Sequence, residues 1–234
     1  MIAFDLTLRE TLAERNIPFD DDMIARAALY AAYLLDENQK MNLTAIVDER
    51  EIAVKHFADS LAPLNYVDLP KGASLADIGT GAGFPGMALR IFRPDLRITL
   101  IDALKKRCLF LERLCAELDI DDVDIRWGRA EELARDDALR ERFDFAAARA
   151  VSSLPVLLEY AVPFLSVGGR FLALKGPAEE ASPKTALTAL ACDIEAEHRY
   201  GLGGDERRLI VVKKKAPTAA KYPRRAGMPE KRPL

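Results

Sequence analysis

Cysteine is sparse in this sequence: Cys108, Cys115 and Cys192 are the only three in 234 residues. An odd number without tight spacing builds neither a disulfide framework nor a zinc site. No metal is therefore expected, and a reducing, cytoplasmic setting is. Long apolar runs are missing too. No window approaches the roughly 20 apolar residues needed to span a bilayer, and the first 16 residues mix charges into their apolar positions, unlike a secretory leader. No membrane partner is expected on that reading. Charge of one sign is also lacking. The formal net charge is −3, so bulk electrostatics do not by themselves mark a nucleic-acid binder.

What is present starts with the distribution of that charge. The last 22 residues hold Lys213, Lys214, Lys215, Lys221, Arg224, Arg225, Lys231 and Arg232 against the single acid Glu230, a local +7 that leaves −10 on the remainder. An acidic body with a basic tail points to a polyanionic partner; a solvated or packed tail is the bland alternative. Half of the residues are hydrophobic, enough for a packed core.

Periodicity divides the chain. Leu6, Leu8, Leu12 and Ile17 give an amphipathic start, and Asp20 to Asp22 can cap a second helix in which Met23, Ala27, Tyr30, Ala31, Leu34 and Leu35 fall at helical spacing. Residues 49–61 suggest a third helix, after the polar break Asn42-Leu43-Thr44. Beyond Pro70-Lys71-Gly72 strands and helices alternate. Strands are predicted over 74–78, 97–101, 123–127, 143–148 and 170–174, the last after a Gly168-Gly169 turn. Repeated βα units predict a mostly parallel sheet covered on both faces. Residues 196–200 and 207–213, around a Gly201-to-Asp205 turn, read as an antiparallel hairpin at its edge. The expected layout is a helical cap (1–65), an α/β core (66–215) and a basic tail (216–234). Leu109, Leu111, Leu114, Leu118, Trp127 and Phe145 are read as core, as are Cys108 and Cys115.

The chemical signal is Asp77-Ile78-Gly79-Thr80-Gly81-Ala82-Gly83-Phe84-Pro85-Gly86, a glycine turn directly after the first strand. Such a turn lets backbone bend tightly and approach a ligand. Gly81, Gly83 and Gly86 also satisfy the dinucleotide pattern, so the turn alone leaves a nicotinamide enzyme open. Asp77 before the turn and Asp102 at the end of the second strand favour S-adenosylmethionine. Its ribose offers two hydroxyl donors to one carboxylate, and it has no pyrophosphate to bind. Asp77 can equally cap the turn, Asp102 can cap the next helix, and Glu131 suits a helix start.

The sequence resembles the glucose-inhibited division protein B (RsmG) family, a Rossmann-like class I methyltransferase family that methylates guanine N7 in small-subunit (16S) ribosomal RNA. The matching stretches are Asn42-Leu43-Thr44, Lys55 to Leu61, Asp77 to Gly86, Lys105-Lys106-Arg107, Gly128-Arg129-Ala130-Glu131, Arg149-Ala150-Val151, Lys175-Gly176 and Tyr222 to Gly227. The resemblance implies S-adenosylmethionine as cofactor, with contacts at Gly79, Phe84, Ala130, Glu131 and Arg149; Asp77, Gly81 and Asp102 join them from the reading of the turn. It places His56, Asp59, Ser60 and Arg149 on the substrate side. It implies ribosomal RNA as partner, and a monomer is expected. Residues after the fourth strand lack an Asn-Pro-Pro-Tyr type segment for an exocyclic amine, and no Pro-Cys or Thr-Cys pair offers a nucleophile for pyrimidine C5. Guanine N7 needs neither, since its lone pair carries no proton. Two alternatives stay open: a small-molecule methyltransferase with an incidental tail, and a non-catalytic RNA-binding protein on a cofactor fold.

Overall fold

The computed structural model of the chain describes residues 1–149, 152–177 and 182–234. Seven strands form one sheet: β1 (Ser74–Ile78), β2 (Arg97–Asp102), β3 (Asp124–Trp127), β4 (Phe143–Arg149), β5 (Leu165–Lys175), β6 (Cys192–Leu202) and β7 (Asp205–Lys214). Their order is β3-β2-β1-β4-β5-β7-β6. The first five pair in parallel, and β7 runs antiparallel between β5 and β6. The expected class I methyltransferase sheet with an antiparallel hairpin at one edge is what forms. The chain order reverses between β1 and β4, which opens a crevice at the carboxyl ends of the strands.

Alternation along the strands separates two cores. Leu75 of β1, Leu100 of β2 and Leu172 of β5 face one side, where they meet Phe4, Leu8, Tyr30, Leu34 and Phe57 of the N-terminal helices. Ala76, Ile78, Phe171 and Val212 face the other, against Leu157, Leu158 and Tyr222. The N-terminal segment thus shares a core with the sheet. It consists of α1 (Ile2–Glu14), α2 (Asp21–Met41) and α3 (residues 49–61). Asp20 caps α2 by accepting from the Met23 N–H at 2.8 Å, and Asn42 ends it at φ 52°, a conformation asparagine tolerates. The middle of α3, Ile52–Ala58, is π-helical.

The crevice is flanked by α4 (Gly86–Phe92), α5 (Lys105–Glu117), α6 (Ala130–Leu133) and α7 (Leu154–Ala161). Two short helices, α8 (Lys184–Ala189) and α9 (Met228–Lys231), had no clear sequence signal. No helix among the described residues is long and apolar enough to cross a membrane.

Several sequence expectations need correction. Gly168-Gly169 lies inside β5, at a register irregularity opposite Phe143 to Phe145; a bulge supplies the bend that was read as a turn. Leu6 and Leu109 are exposed, because their helices bury Leu8 and Leu12, and Cys108 and Leu111, instead. Trp127 is 57 % exposed: β3 is an outer strand, with a neighbour on one side only.

The tail is not a free basic arm. Lys214 is completely buried, and its ammonium donates to Glu141 and to the carbonyls of Val162 and Leu165. Tyr222 packs into the second core. Arg135 and Arg140 donate to the carbonyls of Pro223, Tyr222 and Thr218. Arg224 grips Glu159 of α7 through Nε and Nη2 at 2.6–3.1 Å, and the same carboxylate accepts the Arg224 N–H at 2.7 Å. Glu159 has no exposed surface, and Arg224 supplies hydrogen bonds in place of water. Arg224→Ala is expected to lower the unfolding free energy by about 3 kcal/mol, the scale for orphaning a buried partner. Glu159→Met combined with Arg224→Met should recover much of that loss, since no charge is then left without a partner. Denaturant melts of the three proteins test this; a loss below about 0.5 kcal/mol in Arg224→Ala, the ordinary range of surface changes, would show that the pair does not hold the tail.

Candidate active site

A cavity of about 420 Å³ sits at the carboxyl ends of β1, β2, β3 and β4, within the roughly 300–1,000 Å³ of small-molecule sites. The glycine turn forms its floor. Gly79 and Gly81 have φ of 70° and 62°, which a β-carbon disfavours, and both line the cavity. The turn is shaped from behind by Asp77. One oxygen, Oδ2, accepts from the Thr80 hydroxyl at 2.6 Å and the Gly86 N–H at 2.8 Å. A β-carbon at Gly86 would stand 2.9 Å from that oxygen and 2.5 Å from Leu100, so glycine is required for the closure.

Asp77 was expected among the cofactor contacts. It lies behind the turn, fully buried and outside the cavity lining, so any effect it has on a ligand runs through the backbone it holds. Asp102, at the end of β2, does line the cavity. It accepts from the N–H groups of Gly81 at 3.0 Å and Leu104 at 2.8 Å, and from Arg107 at 3.3 Å. Ala130 and Glu131 line the far end.

The opposite wall comes from the N-terminal segment. Within the π-helical turn, the Asp59 N–H bonds to the carbonyls of Val54 and His56. The Lys55 carbonyl accepts instead from Nη1 of Arg149, across from the end of β4. Nη2 of the same guanidinium donates to Nδ1 of His56 at 3.0 Å. That fixes the imidazole as the Nε2–H tautomer, which donates to the Thr44 hydroxyl at 2.8 Å. Burial first, and then the Arg149 charge, push the His56 pKa down to about 3. Phe84 lies between stacked rings, Tyr30 at 5.0 Å and His56 at 4.9 Å, and the Arg149 guanidinium is 5.2 Å from its centroid.

Phe84, His56 and Arg149 therefore meet as one cluster at the cavity. Asp59 and Ser60, also expected on the substrate side, do not reach it. Asp59 supports Arg149 at 3.4 Å and accepts from Tyr200 at 3.2 Å; Ser60 is buried and donates to the His56 carbonyl. Arg149 itself is more enclosed than a mouth residue, with 14 % of its side chain exposed. Ala150 and Val151, which carry part of the matching stretch, lie outside the described residues.

Sequence reading missed Thr44, Tyr160 and Glu230 as lining residues. Thr44 sat in a matching stretch but had been read as a break. Tyr160 and Glu230 have no local signal, because the folded tail brings Glu230 there. The Gly227 N–H donates to Glu131 at 2.7 Å, which ties the tail to the residue expected at the cofactor.

The buried Asp77 yields a pH signature. Desolvation raises its pKa to about 6, against the lowering effect of Thr80 and Gly86. The native state then holds a proton that the unfolded chain gives up near pH 4, so ionisation destabilises the fold as pH climbs from about 4 to 6. Asp77→Asn keeps the charge off at every pH. Relative to its parent, this variant should gain stability by about 1.4 kcal/mol per pH unit between 4 and 6 and change no further above 6. A flat difference in urea midpoints across that window would contradict a neutral buried carboxyl.

Comparison with known proteins supplies the family. The family described as rRNA small subunit methyltransferase G (GidB) matches residues 23–210. Two proteins named ribosomal RNA small subunit methyltransferase G are similar nearly end to end. One from Streptococcus pneumoniae is 45 % identical over 97 % of this chain and 98 % of its own. One from Desulfitobacterium hafniense is 46 % identical over 98 % of this chain and 97 % of its own. Solved structures share the fold at low identity. A ribosomal protein L11 methylase from Lactobacillus delbrueckii has a TM-score of 0.53 at 17 % identity, covering 69 % of this chain and 79 % of that one. A geranyl diphosphate C-methyltransferase from Streptomyces coelicolor, solved with S-adenosyl-L-homocysteine, has 0.52 at 16 %, covering 68 % and 79 %. The chain belongs to the GidB family, the S-adenosylmethionine-dependent methyltransferases of small-subunit ribosomal RNA.

Proposed function

We propose that the chain methylates N7 of a guanosine in 16S ribosomal RNA, using the cavity for S-adenosylmethionine and the cluster of Phe84, His56 and Arg149 as the wall between cofactor and base. The observation that carries the N7 assignment is the state of His56. It is the imidazole of the cavity, both of its nitrogens are engaged, and it stays neutral far below pH 7. Such a ring is no free general base. Guanine N7 requires none: its lone pair forms the new N–C bond, the methyl–sulfur bond breaks with its electrons to sulfur, and no proton moves. What remains for the protein is positioning and the placement of fixed charge.

The residues fit that cofactor. Asp102 offers carboxylate oxygens for ribose hydroxyls, and the backbone of Gly79 and Gly81 borders the methionine. Phe84 flanks the site, Ala130, Glu131, Tyr160 and Glu230 enclose the adenine end, and Arg149 balances the amino-acid carboxylate. Asp59 and Ser60 hold Arg149 and His56 in register. The protein acts as a single copy in this reading, and the three free, buried cysteines suit the cytoplasm.

Incubating the purified protein with methyl-labelled cofactor and small-subunit RNA, naked and in particles, tests the proposal. The label should become cleavable by borohydride and aniline, a chemistry selective for N7-methylguanosine. Asp102→Ala should bind S-adenosylhomocysteine at least ten-fold more weakly by calorimetry, because it removes charge-assisted hydrogen bonds. Label at another atom would overturn N7. Label in no RNA fraction would return the small-molecule and non-catalytic alternatives.

A further inference from the structure

Trp127 is the chain's single tryptophan, and more than half of it is exposed. Its indole is nevertheless fixed. Nε1–H donates to the Ala103 carbonyl at 3.2 Å, and the Lys105 ammonium stands 5.0 Å from the ring centroid. Ala103 and Leu104 on one side, and Gly128 and Arg129 on the other, line the cofactor cavity. The ring therefore stands at the lip of that cavity. Leu104 beside it is 45 % exposed.

The charge around the ring is positive. Lys105, Lys106 and Arg129 have no carboxylate partner among the described residues; Lys106 reaches only the Met41 carbonyl. Lys105, Lys106 and Arg107 occupy the first turn of α5, which has no acid there and no side-chain cap. Cations at that position oppose the helix dipole, so they do not serve the helix. An exposed aromatic held in one pose, beside cations without a carboxylate partner among the described residues, is not explained by local stability alone. This combination is how proteins bind single-stranded nucleic acid, bases on the ring and phosphates on the cations.

We infer that Trp127 is a stacking platform for an unpaired base of the RNA next to the target guanosine, with Lys105 and Lys106 on the adjoining phosphates. The inference rests on the proposed RNA methylation and names its docking surface. It replaces the basic tail, whose Lys214 and Arg224 are spent on Glu141 and Glu159.

The single tryptophan makes the test direct. Small-subunit RNA, or a single-stranded RNA oligonucleotide, is titrated into the full-length protein while Trp127 emission is followed. Saturable quenching is expected, weakening with salt. Trp127→Ala should lose about ten-fold in RNA affinity and raise KM for RNA while kcat and S-adenosylhomocysteine affinity hold; Trp127→Phe should restore most of it. Lys105→Ser should reduce the log–log salt slope by about 0.7. RNA binding seen by anisotropy with unmoved Trp127 emission, and a wild-type KM in Trp127→Ala, would overturn the inference. So would emission that responds to anionic phosphatidylserine vesicles and not to RNA. Quenching by RNA in a protein that transfers no methyl supports the platform and counts against the catalytic reading instead.

Discussion

A buried carboxylate without an ion-pair partner among the described residues sets the glycine turn. Asp77 holds Thr80 and Gly86 with one oxygen, and its other oxygen has no partner among the described residues. Removal from water makes ionisation unfavourable, and the two donors partly offset that penalty. The bonds it makes span the turn, from its second residue to the start of α4. Everything presented to the cavity floor, from Gly79 to Phe84, is a consequence of that span. Asp102 closes the same turn from the side by accepting the Gly81 N–H. Two acids at neighbouring strand ends therefore have different duties: one is sequestered and shapes, and the other is exposed to the cavity and can bind.

The second constraint couples the N-terminal helices to the sheet. An ordinary α-helical turn would use the Lys55 carbonyl internally. The π-helical stretch redirects the Asp59 N–H to Val54 and His56, and the spare carbonyl meets Arg149. Local irregularity of this kind is common at functional sites. It lets one guanidinium bind a carbonyl, an imidazole and a carboxylate on the same helix while facing Phe84. Arg149 is consequently both a structural link and a cavity wall, so its loss would disturb packing as well as the shape of the cavity.

Local patterns carried much of this architecture. The period-two strands, the glycine turn and the acids at the strand ends placed the sheet and the floor of the cavity, since those features depend on residues close in sequence. The resemblance added Arg149 and His56, which no spacing would have brought together. Three kinds of feature stayed hidden. Trp127 looked like core because composition says nothing about a strand being outermost. Asp59 and Ser60 looked like substrate contacts because helical neighbours of His56 share its stretch, but not its direction. Tyr160 and Glu230 became cavity residues only through a fold-back 70 residues apart in the chain.

The charge pattern shows the same limit from another side. A +7 tail on a −10 body suggested an arm for phosphates, but opposite charges within one chain can satisfy each other first. Glu141 and Glu159 accept from Lys214 and Arg224, and Glu131 accepts from the Gly227 N–H, so part of the tail's basic charge is spent on an internal clasp. That clasp brings Glu230 to a cavity whose other wall is Thr44 and His56. Residues near both ends of the chain thus complete one site. An unfolded or partly folded chain lacks that site, so ligand binds the native state alone. Cofactor at a hundred times its dissociation constant then adds about 2.7 kcal/mol to stability, comparable with the pairing that holds the tail in place.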